Sequence, residues 1–121
     1  WVVKFIGDAA LIVFEEDRVD AGMTCLLSLK EDTNAWLESR GFGAELAVKV
    51  HFGDVVAGPF GPSDRQHFDV IGHAANIAAT LEPRGFTISP QAFRKLRPES
   101  RRRFKKHSPP AVYVAVEKPR D

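Results

Sequence analysis

The sequence predicts an α+β domain, in which helices pack on a sheet that is rich in antiparallel strands. Short apolar segments typical of strands are interspersed with segments of helical periodicity, the longest of which covers residues 19–39. In addition, residues 1–14 and 45–58 each contain two strand-like segments joined at a Gly-Asp dipeptide. This pattern is typical of antiparallel hairpins.

The elements are predicted in order along the chain. The first hairpin is followed by the helix of residues 19–39, which ends before Gly41. Residues 45–52 alternate between apolar and polar side chains, as a half-buried strand does, and turn into residues 55–58 to form the second hairpin. The remaining predictions are a Gly- and Pro-rich loop at 58–62, a strand at 68–71, a helix at 73–82, a strand at 87–89, a helix at 90–103 and a strand at 112–116.

Size and composition limit the chain to one domain over residues 1–121, of which 44% are hydrophobic. The longest apolar run, residues 9–14, is too short to cross a bilayer. The single Cys25 cannot form an internal disulfide, and a chain without disulfides suits a cytoplasmic location. Cys25 is predicted to be buried. Because Trp1 opens the chain inside a strand, we expect a piece of a longer protein, whose membrane spans stay an open question.

Charge is distributed unevenly along the chain. Residues 1–93 carry 7 Lys and Arg against 13 Asp and Glu, whereas residues 94–106 carry 8 Lys and Arg and a single acid, Glu99. A basic cluster can bind nucleic acid, but only Phe93 and Phe104 accompany it and no nucleic-acid motif surrounds it. We expect a solvated helix face and no nucleic-acid partner; a surface that faces phosphate or an acidic partner is the alternative.

Three short motifs carry the chemical information, and they occur in a defined order. They are Val3-Lys4-Phe5-Ile6-Gly7-Asp8, His51-Phe52-Gly53-Asp54-Val55-Val56-Ala57-Gly58 and His67-Phe68-Asp69-Val70-Ile71-Gly72-His73-Ala74-Ala75-Asn76-Ile77-Ala78-Ala79-Thr80. Together they resemble the catalytic domain of the class III nucleotidyl cyclases, the family of adenylate and guanylate cyclases. The resemblance implies a ferredoxin-like core of the polymerase-palm type. The family's first strand, first helices and first metal-binding Asp have no counterpart, so we expect an N-terminally incomplete domain that is inactive by itself.

The resemblance also implies roles for individual residues. Asp8 matches a carboxylate that binds two Mg²⁺ or Mn²⁺ ions together with the missing Asp. Lys4 and Asp69 match the pair that reads the base, and they favour adenine, because Lys donates to a ring nitrogen and Asp accepts from the exocyclic amine. Asn76 matches the residue that holds the ribose in position for attack.

Thr80 departs from the family pattern. Relatives usually carry an Arg there, which stabilises the charge of the transition state. Thr has no charged guanidinium group with which to donate paired hydrogen bonds. Arg84 is a candidate substitute, although it follows Pro83 and so lies outside the predicted helix. Lys105, Lys106 and His107 lie where relatives place a Lys on the terminal phosphates, and the resemblance does not choose among them.

The resemblance implies that the full protein converts ATP into 3′,5′-cyclic AMP and pyrophosphate. Turnover is expected to be slow because of Thr80, and the enzyme is expected to be a homodimer with shared sites. The alternative is a non-catalytic cyclase-like module, which binds a nucleotide or dimerises to regulate a neighbouring domain. Thr80 favours that alternative.

Overall fold

The computed structural model describes residues 1–116 and confirms the predicted α+β class. The strands are β1 (Val2–Ile6), β2 (Ala9–Ile12), β3 (Val48–Val50), β4 (Val56–Phe60), β5 (His67–Ile71), β6 (Phe86–Ile88), β7 (Phe104–His107) and β8 (Val112–Ala115). The helices are α1 (Val19–Ser39), α2 (His73–Thr80), α3 (Pro90–Arg94) and α4 (Pro98–Arg101), with a short 3-10 helix at Glu16–Arg18. No helix within these residues is long and apolar enough to cross a membrane.

The strands are distributed over three sheets. A four-stranded sheet has the order β3-β6-β8-β7, in which β3 and β6 are parallel and the other neighbours are antiparallel. The pairs β1-β2 and β4-β5 each form a two-stranded antiparallel unit. The larger sheet carries the core, and the two smaller units contribute the strands that bear Lys4 and Asp69.

The core lies between α1 and the four-stranded sheet. All residues of β6 are buried, and Phe86 contacts Phe104 of β7 edge to face at a centroid distance of 5.6 Å. Met23 and Leu26 of α1 pack against these rings. The same cluster includes Ala92 and Leu96 from α3 and the segment after it. Burial of these apolar side chains is the main force that holds the helices on this face of the sheet.

The opening hairpin forms as predicted, with β1 and β2 antiparallel around Gly7-Asp8. Gly7 has a φ of 61°, a left-handed conformation that favours glycine. The register shifts between Val2 and Lys4, and an irregularity of this kind changes the direction of the side chains that follow it. Asp8 lies in the turn itself and is exposed at the tip of the hairpin, and Lys4 lies in the strand that leads to it.

The predicted helix of residues 19–39 is confirmed, and its bounds are those of α1. Gly22, Met23 and Leu26 are its buried residues and lie on the face toward the sheet. Cys25 is exposed, so the prediction that it is buried is wrong. The reason is geometric, since Cys25 comes two residues after Met23 and therefore points away from the face that Met23 buries.

The second predicted hairpin is wrong. β3 pairs in parallel with β6, with Lys49 opposite Thr87, and β4 pairs with β5, with Gly58 opposite Asp69. The loop predicted at residues 58–62 is also partly wrong, because β4 extends to Phe60. Within residues 1–116, β4 pairs on one side only, and an edge strand tolerates a proline that has no N–H to donate.

The long basic helix predicted for residues 90–103 is instead two short helices, α3 and α4, followed by β7. Pro98 occupies the first turn of α4, where its missing N–H costs nothing, whereas it would break a continuous helix. β7 was not predicted, because Lys105 and Lys106 interrupt its apolar pattern. Elsewhere the differences are small: α2 ends at Thr80, and β8 ends at Ala115.

The contact of α1 with the first hairpin generates a stability prediction. A Cβ added at Gly22 would lie 2.7 to 2.9 Å from three ring atoms of Phe14. A Gly-to-Ala change within a helix ordinarily stabilises by about 1 kcal/mol, but overpacking costs about 1–3 kcal/mol. We therefore expect Gly22→Ala to lower the free energy of unfolding by about 1 kcal/mol, as measured by chemical denaturation.

The control is the same change in a Phe14→Ala background, where the ring is absent. There Gly22→Ala should raise the free energy of unfolding, because only the helix propensity remains. If Gly22→Ala stabilises equally in both backgrounds, the close contact of α1 with Phe14 is wrong.

Candidate functional site

An ion pair joins the two small strand units. The Nζ atom of Lys4 on β1 lies 2.9 Å from Oδ1 and 3.1 Å from Oδ2 of Asp69 on β5. Oδ1 of Asp69 also accepts a hydrogen bond from the N–H of Val70 at 2.7 Å. The structure thus brings together two residues that are 65 positions apart in the sequence and that the resemblance pairs.

The hydrogen bond from Lys4 holds the pKa of the Asp69 carboxyl below its ordinary value of 3.8. The N–H of Val70 lowers this pKa further, and the positive charges of Lys4 and His67 act in the same direction, while burial opposes them. The Lys4 side chain is 42% exposed and that of Asp69 is 19% exposed. An ion pair at this depth contributes little to stability, so a ligand can replace it with contacts of its own.

A cleft opens beside this ion pair, with a volume of about 430 Å³. Its polar side chains are those of Lys4, Asp69, His73 and Asn76, and its other lining residues are Val70, Ile71, Gly72 and Ala75. Ligand sites in proteins commonly have volumes of about 300–1,000 Å³ and a few convergent polar groups. This cleft fits that description and contains three residues that the sequence singles out.

A second cavity, of about 350 Å³, lies between the first hairpin and the start of α1. Its lining includes Trp1, Val13 and Phe14 together with Glu15 and Arg18. None of the residues that the sequence singles out lines it. The cleft at Lys4 and Asp69 is therefore the candidate functional site.

Asn76 is placed by the close turn between β5 and α2. A Cβ on Gly72 would lie 3.1 Å from the Asp54 carbonyl oxygen and from Cα of Val55, so only glycine lets the chain pass there without displacing its neighbours. α2 begins at the next residue and presents Asn76 in its second turn, at the wall of the cleft.

Thr80 ends α2 and supplies no charge to it. Its hydroxyl donates to the carbonyl oxygen of Ile77 at 3.0 Å. Arg84, the candidate substitute, is engaged as well: its Nη2 lies 2.6 Å from Oε1 of Glu82. Neither side chain lines the cleft.

Asp8 and the residues of β7 lie apart from the cleft lining. Asp8 is exposed at the tip of the first hairpin, and Lys105 and Lys106 are exposed on β7, the edge strand of the four-stranded sheet. His107 is half-buried, and its Nε2 is enclosed without a hydrogen-bond partner in the part of the chain that the structure describes. The structure does not bring Lys105 and His107 to the wall formed by Lys4 and Asn76.

The donor set for a metal ion is incomplete. Among residues 1–116, no group of three or more His, Cys, Asp or Glu side chains is arranged to hold a metal ion. Mg²⁺ and Mn²⁺ require several oxygen ligands, and Asp8 offers one carboxylate. The described residues therefore do not complete a site for the expected ions.

Two residues near α2 have no role that the resemblance implies, although one of them, His51, opens the second motif. Nδ1 of His51 lies 2.7 Å from Oγ of Ser89, and burial followed by the charge of nearby His73 lowers the pKa of His51 below its ordinary value of 6.5. Lys49 of β3 donates to the carbonyl oxygen of Ala79 at 3.0 Å. In the sequence, Lys49 and His51 occupy the polar positions of an alternating strand, which gives no signal of function.

Two curated relatives are similar to the chain in sequence, although no family model matches it. Adenylate cyclase 2 of Rhizobium meliloti (strain 1021) is 30% identical over 107 residues, which cover 78% of this chain and 29% of that protein. Adenylate cyclase of Anabaena cylindrica is 24% identical over 90 residues, which cover 68% of this chain and 18% of that protein. The chain therefore spans less than a third of the length of these relatives.

Solved structures with the same fold are also cyclases. A bacterial light-regulated adenylyl cyclase matches 98% of this chain and 40% of its own with a TM-score of 0.77 at 22% identity. The guanylyl cyclase Cya2 matches 97% of this chain and 71% of its own with a TM-score of 0.70 at 18% identity. At these identities the likeness concerns the fold alone, and it confirms the predicted cyclase-type architecture.

The ion pair of Lys4 and Asp69 generates a prediction about titration. Replacing Lys4 by Met removes the strongest influence on the Asp69 carboxyl, so we expect the pKa of Asp69 to rise toward 3.8. NMR titration of the Asp69 carboxyl carbon measures this change. Lys95→Met, which removes a cation 3.6 Å from Glu16, is the control and should leave Asp69 unchanged.

The sign of the effect on stability follows from linkage. Because the folded-state pKa of Asp69 is depressed, the pair stabilises the folded chain above the ordinary pKa of 3.8 and loses this contribution as the pH falls through the folded-state pKa. The part of the stability difference between the wild type and Lys4→Met that comes from the ion pair should therefore vanish in strong acid. An unchanged pKa of Asp69 in Lys4→Met would contradict the pairing.

Proposed function

We propose that the full-length protein, which contains a class III nucleotidyl cyclase domain, converts ATP into 3′,5′-cyclic AMP and pyrophosphate. The observation that carries the proposal is the contact of Lys4 with Asp69 on the wall of a cleft that also contains Asn76. The sequence relatives named adenylate cyclase support the same substrate.

The reaction needs positioning more than covalent chemistry from the protein. The ribose 3′ oxygen forms a bond to the α-phosphorus, the bond to pyrophosphate breaks, and the 3′ hydroxyl loses its proton. Asn76 carries an amide that both donates and accepts hydrogen bonds, and it is an exposed residue that lines the cleft. We assign to it the orientation of the ribose, since fixed geometry removes much of the entropic barrier to such an attack.

Lys4 and Asp69 are assigned to the base. Adenine offers a ring nitrogen that accepts a hydrogen bond beside an exocyclic amine that donates one. The ammonium of Lys4 and the carboxylate of Asp69 complement that pair. Guanine presents an N–H and a carbonyl at the same positions. The Lys4 ammonium would then face another donor, and the Asp69 carboxylate would face another acceptor. The low pKa of Asp69 keeps its carboxylate ionised and able to accept at neutral pH.

Asp8 is assigned to metal binding. Its carboxylate is a hard oxygen ligand of the kind that Mg²⁺ and Mn²⁺ prefer, and it is free of ion pairs within residues 1–116. The other ligands of such an ion would be nucleotide phosphates, water and a carboxylate from outside the described residues. When bound, such ions neutralise phosphate charge and lower the pKa of the attacking hydroxyl.

The proposal includes a homodimer. Large apolar side chains are exposed on the two small strand units, next to the cleft: they are Val2, Phe5, Ile6, Val56, Phe68 and Ile71. Phe5 is 76% exposed. Contiguous exposed apolar surface is typical of interaction sites, and its position beside the cleft supports a site shared between two copies.

Turnover of the full-length protein tests the assignment of Asp8. With Mn²⁺ or Mg²⁺ present, we expect slow formation of cyclic AMP, and Asp8→Ala should abolish it because a ligand for the ions is lost. Asp64→Ala, which removes an equally exposed carboxylate away from the hairpin, is the control and should leave the rate unchanged. Activity that is indifferent to Asp8→Ala would contradict the metal assignment.

A second experiment tests the choice of base. We expect the wild type to prefer ATP over GTP, and the double variant Lys4→Glu with Asp69→Cys to shift the preference toward GTP, because the polar groups would then match guanine. A mismatch leaves buried polar groups unpaired, which costs about 1–3 kcal/mol per group. Nucleotide binding is measured beside turnover, since the double change also alters local charge.

Equal affinity of the wild type for ATP and GTP, unchanged in the double variant, would show that Lys4 and Asp69 do not read the base.

A further inference from the structure

Two of the four polar side chains that line the cleft are unpaired within residues 1–116. Lys4 and Asp69 are joined to each other by their ion pair. The side chains of His73 and Asn76, by contrast, form no hydrogen bond or ion pair with any residue in this range. Their polar atoms are therefore available to a molecule that enters the cleft.

His73 and Asn76 are neighbours on one face of α2. They lie three residues apart in the helix, and side chains at that spacing are adjacent on a helix surface, with Cβ atoms about 5–6 Å apart. Both residues are exposed, whereas Ala74 and Ala75 between them are half-buried. The resemblance assigns a role to Asn76 but none to His73, although both line the same cleft.

The two side chains match the two hydroxyl groups of a ribose. The amide of Asn76 and a neutral imidazole each offer a donor and an acceptor, and a hydroxyl can pair with either. The 2′ and 3′ hydroxyls of ribose are on adjacent carbon atoms, so two protein groups one helical turn apart can each bind one of them. Neither side chain has the permanent charge of Lys or Arg, so a neutral sugar fits this pair better than a phosphate does.

We propose that His73 binds the 2′ hydroxyl of the ribose and so selects ribonucleotides over 2′-deoxyribonucleotides. The proposal rests on the proposed function and adds to it the recognition of the sugar. Because Asn76 is assigned to orient the ribose for attack by the 3′ oxygen, the adjacent 2′ hydroxyl faces the adjacent side chain, His73. The 2′ oxygen forms and breaks no bond in the reaction, so a hydrogen bond to it fixes the ribose without occupying the attacking atom.

Binding of nucleosides to the full-length protein tests the proposal. Adenosine, 2′-deoxyadenosine and 3′-deoxyadenosine differ only in their hydroxyl groups, and none of them can cyclise because none has a phosphate. We expect the wild type to bind adenosine about fivefold more tightly than 2′-deoxyadenosine, the factor that one neutral hydrogen bond supplies. His73→Ala should weaken adenosine by the same factor and leave 2′-deoxyadenosine unchanged. Calorimetric titration measures these dissociation constants.

Two further variants serve as controls. Asn76→Ala should reduce the preference for adenosine over 3′-deoxyadenosine while keeping the preference over 2′-deoxyadenosine, because His73 is still present. His67→Ala removes an exposed histidine of β5 that does not line the cleft. It should leave the affinities for all three nucleosides unchanged at neutral pH.

The proposal is overturned if the wild type does not distinguish adenosine from 2′-deoxyadenosine. It is also overturned if His73→Ala keeps that distinction or weakens both nucleosides equally, since His73 would then contact another part of the nucleoside or only support α2. His73→Phe retains a ring but removes both nitrogen atoms, and it should lose the distinction as His73→Ala does. If His73→Ala fails to fold, a distinction retained in His73→Phe overturns the proposal.

Turnover separates this proposal from the function on which it rests. A full-length protein that distinguishes the two nucleosides through His73 but forms no cyclic AMP would contradict the proposed reaction and leave the ribose site intact. A protein that forms cyclic AMP but uses ATP and 2′-deoxy-ATP with equal kcat/KM would contradict the role of His73 and leave the reaction intact.

Discussion

Complete burial of β6 organises the four-stranded sheet and the helices that pack on it. Phe86, Thr87 and Ile88 are all buried, and so is Ser89, which follows them. A strand buried on both faces must be covered on both, and its backbone must find partners on both edges, because unpaired buried N–H and C=O groups are costly. β3 and β8 form hydrogen bonds with the two edges of β6, and α1 and α3 cover the face that carries Phe86 and Ile88.

The pairing of β3 with β6 connects the core to α2, the helix that carries Asn76. The N–H of Val48 donates to the Gly85 carbonyl and the N–H of Ser89 to that of Val50, which fixes the register at both ends of β3. That register directs Lys49 toward α2. Ser89 also caps α3, since its hydroxyl accepts from the N–H of Ala92, and it bonds His51. The strand that contacts α2 is thus tied to the core by a few hydrogen bonds.

The other wall is held differently. β1 and β5 belong to two small strand units whose exposed apolar residues leave them less buried than the four-stranded sheet. They meet through the Lys4–Asp69 ion pair and through an edge contact of Trp1 with Phe68 at 5.5 Å. Contacts this exposed contribute little free energy. The base-facing wall is therefore one that a ligand or a second copy of the chain can readily adjust, whereas α2, which carries Asn76, is held to β3 by the hydrogen bond from Lys49 to Ala79.

Features that depend on neighbouring residues could be predicted from the sequence. Helical periodicity predicted the bounds of α1, the Gly7-Asp8 dipeptide predicted the first hairpin, and the motifs pointed to Lys4, Asp69 and Asn76, which line one cleft. The pairing of the strands could not be predicted in this way and became known from the three-dimensional arrangement. Alternation in residues 45–52 shows which side chains share a face, but not that β3 lies beside β6, more than 30 residues away, since partners are chosen by burial across the whole core. The contact of Lys49 with Ala79 follows from that choice, and for this reason no local pattern could predict it.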